Sequence, residues 1–171
     1  MSIVLIGYRG SGKTTIGLKL ADRLWQTFVD TDDLIVKRAA KSIREIFQQD
    51  GEPAFRELEV QAVRDASLLD EHVISLGGGA PMREENRSAL KSRDHKIIYL
   101  RCDPKSLHER IESDPRTPAT RPQLSKIGGG IEEIRAILAE REPVYRQLMT
   151  AELDVTNLSV DDAVVYIVRL L

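Results

Sequence analysis

A single cysteine, Cys102, in 171 residues excludes an intramolecular disulfide and any cysteine-based metal cluster, and fits a reducing compartment. It follows an apolar run and is expected to be buried. No apolar run approaches the roughly 18 residues of a membrane span, and the first strand begins at residue 3, which leaves no room for a signal peptide. Neither sign of charge dominates: 25 basic residues face 27 acidic ones, for a formal charge of −2. That balance argues against a general polyanion binder, so a nucleic-acid partner is not expected and any basic site must be local. His72, His95 and His108 lack metal-ligand spacing, and the chain shows neither an internal repeat nor a low-complexity segment. The length suits one domain over residues 1–171, read as a soluble cytoplasmic monomer.

What is present is organised around Gly7-Tyr8-Arg9-Gly10-Ser11-Gly12-Lys13-Thr14, which fits the phosphate-loop pattern G-x-x-x-x-G-K-[ST]. Ile3-Val4-Leu5-Ile6 before it reads as a buried strand, and residues 14–24 after it carry Ile16, Leu20, Ala21 and Leu24 at helical spacing. Strand, glycine loop and helix are the context this motif needs. Loop N–H groups and the helix N-terminus then point at phosphate oxygens; Lys13 reaches the β- and γ-phosphates, and the Thr14 hydroxyl ligates Mg²⁺. A nucleoside triphosphate is the implied ligand.

Further strands are expected at 27–30, 72–76, 96–100 and 153–155. Helices are expected at 34–40, 42–49, 53–69, 83–91, from 104 onward, at 131–149 and at 160–171. Ser42-Ile43-Arg44-Glu45 has the form of a capping box, Gly51 would end the short helix that follows, and Pro143 would kink or divide its own helix. Pro115, Pro118, Pro122 and Gly128-Gly129-Gly130 make the segment 113–130 read as a mobile lid. Alternating strands and helices imply an α/β fold with a mostly parallel sheet covered on both faces.

In such a sheet ligands gather beyond the C-terminal strand ends, which selects Asp30, Asp32, Gly77-Gly78-Gly79 and Asp103. If the chain stays extended, Asp30 and Asp32 point the same way; one could hold hydrated Mg²⁺ and the other accept a hydroxyl proton. Alternatively Asp32 or Asp33 caps the next helix, and Asp103-Pro104 reads as an ordinary helix start. Three glycines in a row after a buried strand allow close approach of backbone N–H groups to an anion, or form a long turn. Arg56 and Glu59 stand one helical turn apart; a carboxylate orienting a guanidinium competes with an ordinary exposed ion pair.

Taken together, Gly7-x-x-Gly10-x-Gly12-Lys13-Thr14, Asp30-Thr31-Asp32, Ser42-Ile43-Arg44-Glu45-Ile46-Phe47, Gly51-Glu52-x-x-Phe55-Arg56-x-x-Glu59, Ser75-Leu76-Gly77-Gly78-Gly79-Ala80, Arg121-Pro122-x-Leu124 and Arg141-x-x-x-Tyr145 resemble the shikimate kinase family over nearly the whole chain. The resemblance implies a P-loop nucleoside-monophosphate-kinase-like fold, a five-stranded parallel sheet flanked by helices with a mobile lid. It also implies transfer of the ATP γ-phosphoryl group to the 3-hydroxyl of shikimate. Carried over residue by residue, it makes Asp32 the base and a shikimate contact, and puts Asp30 with Thr14 in the Mg²⁺ shell. Gly10, Ser11, Gly12, Lys13, Thr14 and Thr15 hold ATP, with Arg110 near adenine and Arg121 coming from the lid to the phosphates; Lys13 and Arg121 join Asp32 as catalytic residues. Arg56, Arg141, Gly77, Gly78 and Gly79 hold the acid and its hydroxyls, Glu59 orients Arg56, and Phe47 and Phe55 wall the ring, so that shikimate occupies the segment 31–60. The chain departs from the family in a longer, Pro-rich interval between Arg110 and Arg121, and in Val160 where a proline is often found. A kinase for another polyol acid such as gluconate, or a nucleotide-dependent switch without transfer, are the competing readings.

Overall fold

The computed structural model describes residues 1–114 and 130–171. Five strands, β1 (Ile3–Ile6), β2 (Thr27–Asp30), β3 (His72–Ser75), β4 (Lys96–Arg101) and β5 (Ala151–Asp154), form one sheet in the order β2-β3-β1-β4-β5, with every pairing parallel. Parallel pairing requires crossovers. These are α1 (Lys13–Leu24) between β1 and β2, then α2 (Thr31–Ala39), α3 (Ile43–Glu45), a π-helical turn (Ile46–Asp50) and α4 (Gly51–Ser67) before β3. A 3₁₀ turn (Ala80–Met82) and α5 (Glu84–Lys91) precede β4. The described parts of the last crossover are α6 (Pro104–Ser113) and α7 (Ile131–Leu148), and α8 (Val160–Leu170) closes the chain.

Strands covered on both faces must be apolar at successive residues, and β1 is buried at all four positions. Its alternate residues divide between two cores. Ile3 and Leu5 pack with Leu20 of α1, Leu107 of α6 and Ile167 of α8, whereas Val4 and Ile6 pack with Val63 of α4, Leu90 of α5 and Tyr145 of α7. A third cluster, Ile35, Ile43, Ile46, Phe55 and Ala62, fixes α2 and α3 on α4 beside the end of β2. Cys102 is buried, as expected.

Several expected boundaries move. Ser42 and Glu45 form the capping box, but the α-helix runs no further than Glu45; a π-helical turn follows, and Gly51, with φ +86°, closes that turn as expected while also opening α4. Pro143 does not divide α7, which runs unbroken to Leu148. The fifth strand starts two residues earlier than the Leu-Asp-Val pattern suggests, in register with β4 from Ala151 opposite Ile98.

Candidate active site

From β1 the chain crosses to one side of the sheet toward β2, and from β4 to the other side toward β5, so a crevice opens between their C-terminal ends. The phosphate loop fills its floor. Gly7 has φ +147°, and a Cβ there would meet the Leu100 carbonyl oxygen of β4 at 2.7 Å, so only glycine fits. Above the loop lies a cleft of about 680 Å³ whose walls include Gly10, Ser11, Gly12, Lys13, Thr14, Thr15, Asp30, Asp32 and Arg110. Lys13 is nearly buried, and its Nζ donates to the carbonyls of Gly7 and Tyr8 at 2.8 and 2.9 Å. The lysine thus braces its own loop as well as charging the cleft. Arg110 donates to the carbonyls of Val155 and Thr156 at 2.9 and 3.1 Å, which holds it on the far wall beside Val155 and Leu158.

The Thr14 hydroxyl donates to Asp30 Oδ2 at 3.0 Å, so the two groups assigned to Mg²⁺ are already neighbours. No cluster of three or more His, Cys, Asp or Glu groups suited to a metal occurs among the described residues. An ion such as Mg²⁺ takes one or two protein oxygens and completes its shell with water and phosphate, and Thr14 with Asp30 presents such a pair. The extended arrangement of Asp30 and Asp32 does not form. Asp30 itself is the N-cap of α2, accepting from the Asp32 N–H at 3.0 Å, and Asp32 lies in the first helical turn. A helix beginning directly at the strand end satisfies backbone donors that an extended chain would leave to solvent. Neither Asp32 nor Asp33 is the cap. Asp33 is exposed but near Asp30, and partial desolvation followed by that neighbouring charge pushes its carboxyl up. Asp103 caps α6 by accepting from the N–H groups of Lys105 and Ser106, and it does not line the cleft.

A second, smaller recess adjoins the cleft and is lined by Arg9, Asp32, Ile43, Phe47, Phe55, Arg56, Glu59, Gly77, Gly78, Gly79 and Arg141. Here the Arg56–Glu59 pair is no surface ion pair. Glu59 is 2% exposed and takes the Arg56 guanidinium at 3.0 and 3.1 Å, while Glu52 holds it from the rim at 3.2 Å. Burial pushes the Glu59 carboxyl up against the opposing pull of Arg56. Phe47 and Phe55 meet with ring centroids 4.6 Å apart, and the Arg56 guanidinium lies 5.3 Å from the Phe55 ring centre.

The three glycines are needed for close approach and not for unusual backbone angles; none has a positive φ. A Cβ on Gly77 would meet Asp32 Oδ1 at 2.8 Å, one on Gly78 the Arg141 guanidinium at 3.3 Å, and one on Gly79 the Arg56 guanidinium at 2.9 Å. Two residues that the sequence motifs include but to which the sequence assigned no role hold this segment. Thr31 Oγ1 accepts from the Gly77 N–H at 3.1 Å, and the buried Tyr145 hydroxyl donates to the Gly78 carbonyl at 2.6 Å. Burial pushes the Tyr145 phenol up to about 12, so it stays a donor near neutral pH. Tyr145 follows Arg141 by four residues on α7, a spacing that places both on one helix face and was the available signal. The structure therefore gathers every described residue assigned to the acid and to the phosphates; Arg121 lies outside the described residues.

Known proteins resemble the chain in sequence and in fold. The family model for shikimate kinase matches residues 9–171. A shikimate kinase of Symbiobacterium thermophilum is 39% identical over 169 residues, covering 99% of this chain and 95% of the relative. One from Oleidesulfovibrio alaskensis is 42% identical over 146 residues, covering 85% and 83%. Among solved structures, a shikimate kinase from Acinetobacter baumannii in complex with shikimate superposes with a TM-score of 0.89 at 29% identity, covering 99% of this chain and 91% of that one. Matched in sequence across nearly its whole length, and in fold to a relative solved with its acid, the chain belongs to the shikimate kinase family.

Proposed function

We propose that the protein transfers the γ-phosphoryl group of ATP to the 3-hydroxyl of shikimate, with ATP in the large cleft and shikimate in the adjoining recess. Family membership supports the reaction, and the observation that carries the division of labour is that Asp32 lines both cavities. A group on that shared wall can take the hydroxyl proton while the oxygen attacks phosphorus. Arg56, fixed by Glu59, and Arg141 present planar donors suited to a carboxylate, and Gly78 and Gly79 bring backbone close to it. Phe47 and Phe55 wall the ring. On the nucleotide side the loop N–H groups and Lys13 stabilise charge on the phosphates as the bond from phosphorus to the bridging oxygen breaks and ADP leaves. Bound Mg²⁺, held by Thr14 and through Asp30, would supply further positive charge to the β- and γ-phosphates.

Arg121 is assigned to the phosphates by resemblance alone and enters no step here. One domain over 1–171, a monomer and a cytoplasmic location are likewise inferred from sequence; no helix among the described residues is long and apolar enough to cross a membrane. Gluconate kinase and switch readings are not favoured, because the family match spans the acid recess as well as the phosphate loop.

ATP turnover with and without shikimate tests the reading, gluconate serving as the competing acceptor. Turnover is expected to require shikimate. Asp32→Asn keeps the shape but cannot take a proton, and is expected to lower kcat about 10²–10⁴-fold while shikimate still binds. Turnover indifferent to shikimate would sink the function; a loss confined to KM would reduce Asp32 to a positioning role.

A further inference from the structure

Arg9 has no part in the division of labour above. Among the described residues, only Arg9, Asp32 and Ile43 line both cavities. Arg9 leaves the phosphate loop where it touches the glycine segment: a Cβ on Gly78 would stand 3.5 Å from the Arg9 backbone nitrogen and 3.3 Å from the Gly7 carbonyl oxygen. The Arg9 Nε is buried and has no hydrogen-bond partner of its own, while the guanidinium interacts with the Tyr8 hydroxyl. A guanidinium donor removed from water without an acceptor is costly, so a ligand that brings one is favoured there.

Charge gives the position a purpose. With both carboxylates ionised, the recess is lined by three arginines, at 9, 56 and 141, and by Asp32 and Glu59, a surplus of one positive charge. Remove Arg9 and the lining is neutral; a bound monocarboxylate would then leave one net negative charge facing a triphosphate across the shared wall. Two anions held that close repel each other in a site where the effective dielectric is well below that of water. A guanidinium on the wall between them offsets the repulsion, and its fork of donors can serve both sides at once.

We propose that Arg9 couples the two substrates, its guanidinium spanning the seam between the shikimate recess and the terminal phosphate of ATP, so that each anion binds more tightly when the other is present. The inference rests on the function proposed above. It assigns Arg9 a contact distinct from the acid-reading arginines, which act whether or not nucleotide is bound, and from Lys13, which sits at the foot of the cleft.

Calorimetric titration of shikimate, alone and with saturating Mg²⁺ and the β,γ-imido analogue of ATP, tests this in the parent and in Arg9→Gln. In Arg9→Gln the affinity for shikimate alone is expected to stay within about threefold of the parent, while the gain produced by the nucleotide analogue falls by about tenfold, within the roughly 5–150-fold span usual for coupled sites. The value of kcat/KM for shikimate should fall in parallel. Arg9→Lys keeps the charge on a similar stem and is expected to retain more than half of the coupling on a logarithmic scale, so it decides the matter if the glutamine variant loses its cooperative melting transition. Coupling undiminished in Arg9→Gln, or a lysine variant that folds and has none, would overturn the inference. So would an equal loss of affinity with and without the analogue, because Arg9 would then read the acid alone. A parent without shikimate-dependent turnover would overturn the proposed function itself, whereas an active parent with coupling insensitive to Arg9 would overturn only this assignment.

Discussion

At the scale of single residues, the site depends on charges that burial works against. Glu59 is nearly inaccessible and paired with Arg56, and Asp32 adds repulsion to its desolvation. Its carboxyl is therefore pushed above the ordinary 4.5, burial being the largest cause and outweighing the attraction of Arg56. The sign of the linkage follows: a raised native pKa stabilises the fold fully below about 4.5, and that contribution is lost as pH rises through the raised value. Glu59→Gln removes the titration while keeping the shape. The stability of the parent minus that of Glu59→Gln, from urea melts at a series of pH values, is expected to decline as pH climbs from 4.5 toward neutrality. A difference that grew over the same range would mean that Arg56 dominates and holds the carboxyl below its ordinary value. On the proposed function this unfavourable charge is kept because Glu59 fixes the guanidinium that would face the acid, a case of local stability given up for position.

At the scale of elements, the phosphate loop and its helix were legible because a single backbone geometry demands those glycines in that order. The parallel sheet was legible because strands buried on both faces leave continuous apolar runs. Less legible was anything set by contact between distant segments. Nothing local distinguishes the Arg56–Glu59 pair from an exposed one; its burial comes from Gly77 and Gly79 folding over it from β3. The choice of Asp30 as helix cap was hidden for a similar reason, since all four residues 30–33 are acidic or hydroxylic and able to cap, and the end of β2 decides among them. Tyr145 and Thr31 tie the glycine segment to α7 and α2, contacts 67 and 46 residues apart in sequence.

The glycine segment itself supplies a test. Gly79 has φ −89° and ψ −14°, angles that alanine adopts without strain, yet a Cβ would stand 2.9 Å from the Arg56 guanidinium. That guanidinium is the far end of a flexible side chain and can yield, so Gly79→Ala is expected to change stability by no more than about 0.5 kcal/mol, or about 2 °C in Tm. Its cost should appear in recognition. With the arginine displaced by a fraction of an ångström to an ångström, shikimate affinity is expected to drop by about tenfold or more while ATP affinity holds. A large fall in Tm with shikimate affinity intact would show that this glycine serves packing and not the site.

At the scale of the molecule, the cleft and the recess lie side by side beyond the C-terminal strand ends and share a short wall, and this makes stabilisation by each substrate separable. A ligand that binds only the folded state at about 100 times its Kd adds about 2.7 kcal/mol. For a domain of this size each kcal/mol raises Tm by about 2–4 °C, so ATP with Mg²⁺ and shikimate should each shift the melting curve by about 5–11 °C at such concentrations. Arg141 offers the cleaner substitution for dividing the two. It lines the recess but not the cleft, and truncating it leaves the buried Arg56–Glu59 pair in place. A charge-assisted hydrogen bond contributes about 1.5–3 kcal/mol, so Arg141→Ala should weaken shikimate by about 10- to 100-fold. At an unchanged shikimate concentration, a 30-fold loss would leave about 0.9 kcal/mol of stabilisation, a shift of only about 2–4 °C, with the ATP shift kept at its parental size. Both shifts are read against the ligand-free melting temperature of the same variant, which removes any change in intrinsic stability from the comparison. Equal losses for the two ligands would mean that the recess and the cleft act as one site, and the assignment of acid to one cavity and nucleotide to the other would fail.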